Sequence, residues 1–139
     1  MNSIRPRADL GLLAIRLVTG LVFLMHGYQK VFTYGFAGVG DAFGKMGIPM
    51  PTVMGPAIAL LELLGGIALI IGLGTRIVGL LFTIEMAVAI TMVHMKNGFF
   101  MPMGFEFALT LLATSLALAL SGAGDMSVDA RMSRKNITP

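Results

Sequence analysis

The chain has 139 residues, 56% of them hydrophobic and only 12% charged, with a mean hydropathy of +0.87. Seven acidic and ten basic side chains cannot coat a soluble surface, because soluble domains usually carry about a quarter charged residues. The absence of cysteine excludes disulfides, thiolate metal sites and a CxxC redox pair, and the formal charge of +3 comes without the aromatic-interleaved basic run of a nucleic-acid binder.

A helix crossing the hydrocarbon core needs about 20 mainly apolar residues. Four segments meet or approach that length: 10–32, 55–73, 77–95 and 104–121. The predicted fold class is therefore all-α, an integral membrane four-helix transmembrane bundle, with one domain over 1–139. Arg5 and Arg7 ahead of the first segment imitate the start of a signal peptide. The apolar stretch runs on into His26-Gly27-Tyr28-Gln29-Lys30 without a small-x-small cleavage site, which predicts an uncleaved first span.

Residues 33–54 form the long loop before the second span. Within it Phe36, Val39, Phe43 and Met46 recur at helical spacing, which suggests a short amphipathic helix on the membrane surface. Gly38, Gly40 and Gly44 weigh against it, and Gly47-Ile48-Pro49-Met50-Pro51 must turn. Gly74-Thr75-Arg76 links the second and third spans tightly. Residues 124–139 form a short polar tail expected outside the bundle.

Four spans put both termini on one side, with Arg5, Arg7, Arg76, Arg131, Arg134 and Lys135; Lys30, Lys45 and Lys96 fall on the other. The excess of bases predicts that both termini are cytoplasmic.

All three glutamates, both histidines and Arg16 fall within or at the ends of these spans. Each such group costs about 2.5–3.5 kcal/mol at the bilayer centre, so it turns inward and finds a partner. Projected at 100° per residue, Arg16, Thr19, His26 and Lys30 share one face of the first span, opposite Val18, Leu21 and Met25. Glu62 shares its face with Gly55, Ala59, Gly65 and Gly66, small residues that let helices approach closely. On the fourth span Glu106, Thr110, Ala113, Ala117 and Ser121 form a matching stripe, so three helices point polar or small faces at a common interior. Glu85 and His94, nine residues apart on the third, project on opposite faces unless the helix bends or unwinds near its outer end.

At about 1.5 Å of rise per residue, Arg16 lies about 9 Å and Glu85 about 15 Å from the side of the termini, depths that allow an inner ion pair. His26, Lys30, Glu62, His94 and Glu106 group into an outer polar pocket. No HxxxH, ExxH or HExxH spacing marks a metal site there, and the many methionines are core and lipid-facing filler. A histidine and a glutamate at low dielectric can relay protons or hydrogen-bond the carbonyls of a quinone. The alternative is a set of paired structural charges.

Several fragments keep a recognisable order. His26-Gly27-x-x-Lys30 closes the first span, Gly47-Ile48-Pro49-x-Pro51 precedes the second, and Glu62-x-x-Gly65-Gly66 leads to Gly72-Leu73-Gly74-Thr75-Arg76. His94-x-x-x-Gly98-Phe99-Phe100, Glu106 and Gly122-Ala123-Gly124-x-x-Ser127-x-Asp129 follow. Over residues 10–129 the pattern resembles the DoxX family of small bacterial four-span membrane proteins. The resemblance implies a four-helix transmembrane fold in the bacterial inner membrane. Relatives of that kind include a subunit of an archaeal thiosulfate:quinone oxidoreductase and a mycobacterial member linked to an oxidoreductase complex handling oxidative and thiol stress. The implied role is a subunit or accessory of a quinone- or thiol-linked redox system with oxidoreductase partner proteins. The family supplies no settled catalytic residues, so the site residues above rest on the buried charges alone. Two rival readings remain: a scaffold that recruits soluble partners through Arg76 and the basic tail, and a small proton-coupled transporter, which would need a homo-oligomer to make a path wide enough.

Overall fold

The first apolar run stays helical well past the point where its hydropathy falls. In a computed structural model of the chain, which describes residues 4–135 and the side chains from residue 7 onward, α1 spans Ile4–Tyr28. It widens without a break into a π-helical segment, Gln29–Tyr34, and then turns at Gly35, φ 70°, into α2, Gly35–Lys45. The Arg5 side chain and tail residues 136–139, both counted in the sequence reading, lie outside the described residues. Proline opens α3 at Pro51–Ile71, where its fixed φ and missing N–H suit a first helical turn. Gly72, at φ 73°, ends α3, and α4 follows as Thr75–Val88. A second π segment, Ala89–His94, and a 3₁₀ turn, Met95–Asn97, extend α4. The bundle closes with α5, Glu106–Ser121, and a short terminal helix, α6, Val128–Lys135.

Three helical runs are long and apolar enough to cross a membrane: residues 7–45, Pro51–Ile71 and Thr75–Asn97; Glu106–Ser121 is a shorter apolar helix. The fold is an all-α membrane helical bundle. Val18, Leu21, Met25, Leu64, Ile77, Ile84 and Leu120 are among many large apolar side chains left exposed around it. An apolar surface so extensive is suited to lipid rather than water.

Helices α1 and α3 pack backbone to backbone. A Cβ on Gly66 would stand 2.7 Å from the Gly20 carbonyl oxygen, so glycine is required for the crossing. Helices α4 and α5 meet in the same way at Gly79, where a Cβ would lie 2.8 Å from Ser115 O. Between the two pairs sits an apolar core. Phe23 and Phe82 stack face to face at its centre, centroids 3.6 Å apart and rings 5° from parallel, with Leu69, Met86, Leu111 and Leu118 around them.

The helix suggested by Phe36, Val39, Phe43 and Met46 is present as α2. Its buried Val39 and Gly40 pack against the start of α3 at Gly55, so one face is covered by protein. On α5 the inward face differs from the expected stripe. Ala108, Leu111, Ser115 and Leu118 are buried, while Thr110, Ala113 and Ser121 are exposed. Thr110 returns its hydroxyl to the Glu106 carbonyl at 3.0 Å and so needs no inward partner. The tail also departs from its expected isolation, because residues 123–130 fold back onto the α3–α4 turn.

Candidate functional site

A buried charge cluster lies where α1, α3 and α4 meet. Glu62, in the middle of α3, is 3% exposed. Gly27 on α1 has no room for a Cβ against the backbone of Glu62 and Leu63. That close approach sets Lys30, one turn further on in the π segment, against Glu62, and the two form an ion pair. From α4 the Glu85 carboxyl comes close to the Glu62 carboxyl, within the field of Lys30. Glu85 Oε2 is buried and has no hydrogen-bond partner. His26 stands at the rim, exposed rather than inward, where it feels the charges of Lys30 and Glu62. Its ring centroid is 6.4 Å from that of Phe107 on α5.

One ammonium group thus stands among two carboxyls and one imidazole, on three helices. Such a set offers both donors and acceptors at low dielectric, where an unmet hydrogen bond is costly and a ligand that supplies it is held strongly.

The expected outer pocket divides. Lys30 and Glu62 pair, with His26 at their rim, whereas His94 and Glu106 serve the connection before α5. His94 Nδ1 lies 3.1 Å from Met103 O, and the Glu106 carboxylate accepts the Met101 amide at 2.6 Å. Both therefore fasten the turn at residues 98–105. The unwinding that the third span needed is present as the π segment Ala89–His94. Its wider turn delivers His94 to that connection rather than to Glu85.

The inner pair expected between Arg16 and Glu85 is not formed. Arg16, 2% exposed, donates through Nη1 to Ala123 O and through Nη2 to Met126 O at 2.7 Å, with Asp129 close by as the acidic group. Residues after α5 fold against the first half of α1 and satisfy the guanidinium with backbone carbonyls, so that Arg16 makes no pair with Glu85.

Sequence reasoning missed the part played by the glycine-rich fragments. Asp129 accepts Gly74 N at 2.7 Å and Thr75 N at 3.0 Å, capping α4 from a distant segment. Its own amide donates to Gly72 O at 2.9 Å. Arg76, the residue assigned to partner recruitment in the scaffold reading, donates to Leu120 O at 2.6 Å at the end of α5, where a cation complements the helix dipole. The available signal was an unassigned cap: α4 starts after Gly74 without a local Ser, Thr, Asp or Asn before it. Among the described residues, no group of three or more His, Asp or Glu is arranged to hold a metal ion.

Comparison with known proteins agrees with this architecture. The chain is 40% identical over 122 residues to a Bacillus subtilis protein described as "Putative oxidoreductase CatD", covering 87% of this chain and 86% of that one. It is 32% identical over 139 residues to the inner membrane protein YqjF of Escherichia coli, covering 91% and 95%. It is 31% identical over 134 residues to a membrane protein of Mycobacterium tuberculosis, covering 88% and 82%. No solved structure matches. The DoxX family model matches residues 11–95, the stretch that carries Arg16, His26, Lys30, Glu62 and Glu85, and the chain belongs to the DoxX family.

Proposed function

We propose that this chain is the membrane component of a redox system, and that the Lys30–Glu62–Glu85 cluster with His26 holds the polar head of a quinone or a thiol-derived ligand. The observation that carries the proposal is Glu85 Oε2, a buried acceptor without a partner beside an ion pair. The name of the Bacillus subtilis relative, an oxidoreductase by description, supports the same class.

The residues fit the head of a quinone in its reduced, quinol form: Glu85 Oε2 can accept a quinol hydroxyl, and exposed His26 offers a second polar contact beside the Phe107 ring. When bound, a quinone supplies two-electron, two-proton chemistry. Lys30 holds Glu62 in place, Glu62 orients Glu85, and His26 leads from the rim to the surface between α1 and α5. Substrate electrons would come from an oxidoreductase partner, since the chain has no cysteine of its own.

The test is purification in mild detergent followed by extraction for quinone. A quinone should co-purify with the native protein and be depleted in Glu85→Gln and His26→Ala. Absence of quinone from the native protein, together with an unaltered quinone-linked phenotype in both variants, removes this reading.

A further inference from the structure

We infer that ligands reach the charge cluster from within the bilayer, through the seam between α1 and α5 at the end opposite the termini, as the α1–α3 pair parts from the α4–α5 pair. The inference rests on the reading of the cluster as a ligand site, and it names the class of ligand as one with an apolar tail.

The bundle is fastened unevenly. Within each pair the backbones touch: Gly20 and Gly27 of α1 lie against Gly66 and Leu63 of α3, and Gly79 of α4 lies against Ser115 and Ala119 of α5. Contacts this close hold each pair as a unit. Between the pairs the middle is held by side chains, with Phe82 of α4 stacked on Phe23 of α1 and lying against Gly65 of α3. At the end carrying the termini the pairs are tied by hydrogen bonds. The Asp125 amide donates to Asp9 at 3.2 Å, and Arg16 donates to the Ala123 and Met126 carbonyls, which closes α1 onto the chain after α5. Asp129 locks the turn from α3 to α4 through Gly72 O, Gly74 N and Thr75 N.

At the opposite end the polar contacts stay inside a pair. Lys30 meets Glu62 on one side, and His94 meets Met103 and Glu106 meets Met101 on the other. The polar approach across the pairs is that of Glu85 to Glu62, and the α1–α5 seam is spanned by His26 and Phe107, tilted rings 6.4 Å apart and both exposed. Each pair also carries a π segment here, Gln29–Tyr34 on one and Ala89–His94 on the other, and such segments occur mostly at functional sites. Two rigid pairs tied at one end part at the other, as in a hinge. The seam leads from His26 and Phe107 toward Glu62 in the middle of α3, and exposed Met25 and Phe107 make its rim apolar. It therefore opens on hydrocarbon. The ligand that fits this route has a polar head for Glu85 Oε2 and His26 and a tail left between α1 and α5, which favours a quinone over a water-soluble thiol-derived compound.

The test uses the full chain in proteoliposomes, where the absence of cysteine lets single replacements report. Ala108 and Ser115 are buried on one face of α5, two turns apart, the first near the seam and the second nearer the tied end. N-ethylmaleimide should label the Ala108→Cys thiol about tenfold faster than the Ser115→Cys thiol, with Leu118→Cys as the reference if Ser115→Cys lowers Tm. Equal rates, or two inert thiols, overturn the seam. The native protein in detergent is then offered a benzoquinone with a decyl tail or the same ring without one, and retention is counted against protein-free micelles. Retention of the tailed compound alone is expected, and equal retention of both overturns the ligand class. Fast labelling of Ala108→Cys with neither compound retained leaves the seam standing and removes the quinone reading, so the two failures are told apart.

Discussion

Asp129 reaches back across 55 residues of sequence to cap the start of α4, accepting the amide of Gly74 at 2.7 Å. The same carboxylate takes the Thr75 amide and lies near the buried Arg16 guanidinium. A single side chain therefore joins the last helix to the turn between two spans. Replacing a capping Asp by Ala costs about 1–2 kcal/mol, and Asp129→Ala should lower the detergent-solubilised Tm by several degrees, with Asp129→Asn milder. A variant as stable as the native protein would show that the cap is dispensable.

Lys30 and Glu62 give the second prediction. Removing one partner leaves the other buried without compensation, which costs about 3 kcal/mol, whereas apolar replacement of both is nearly neutral. Lys30→Met should therefore be less stable than the double variant Lys30→Met/Glu62→Leu. Simple additivity of the two single changes in an unfolding cycle would contradict the pair.

Helix contact can be tested at two glycines with opposite expectations. A methyl group at Gly66 meets the α1 backbone, and over-packing of this kind costs about 1–3 kcal/mol. Gly11, also helical, has nothing within 4 Å of its would-be Cβ. Gly66→Ala should destabilise, and Gly11→Ala should be neutral or stabilise by up to about 1 kcal/mol. Thermal denaturation of the two proteins side by side checks both.

Arg16 and Glu85 share no partner, since one is held by Ala123 and Met126 and the other meets Glu62. Effects of Arg16→Met and Glu85→Gln should add within about 0.5 kcal/mol. A larger coupling energy would restore the pair expected from depth alone.

The basic residues sort by end. Arg7, Arg76, Arg131, Arg134 and Lys135 belong to the end that carries the termini, and Lys45 and Lys96 to the other. By the positive-inside rule this distribution predicts cytoplasmic termini, an expectation that labelling checks. Because the chain has no cysteine, single replacements report directly. A membrane-impermeant maleimide should label Lys45→Cys on intact cells and Ser133→Cys only after lysis; the reverse pattern inverts the topology.

Much of the bundle was legible because polarity and helical period agreed. Arg16, Thr19, Glu62, Ala59 and Gly66 face inward as projected, and Val18, Leu21 and Met25 face out. Where that agreement fails, the sequence misleads. On α5 the small, weakly polar stripe is exposed and the bulkier leucines are inside, because lipid accepts either face and only packing volume decides. His26 shares the polar arc of Arg16 by angle but stands exposed beside Phe107 of α5. Neither π segment has a sequence signature. The contacts of Arg16 span 107 and 110 residues of chain, a separation no periodicity reports.

That separation has a consequence for how the protein is made. Synthesis proceeds from the N-terminus, so α1 enters the bilayer with Arg16 long before Ala123 and Met126 exist to receive it. Throughout the insertion of three further helices its charge must be met by water, lipid phosphate or the insertion machinery. The last stretch to be synthesised then takes over, and a nascent chain stopped before residue 123 carries its first span with that charge still unanswered by the protein.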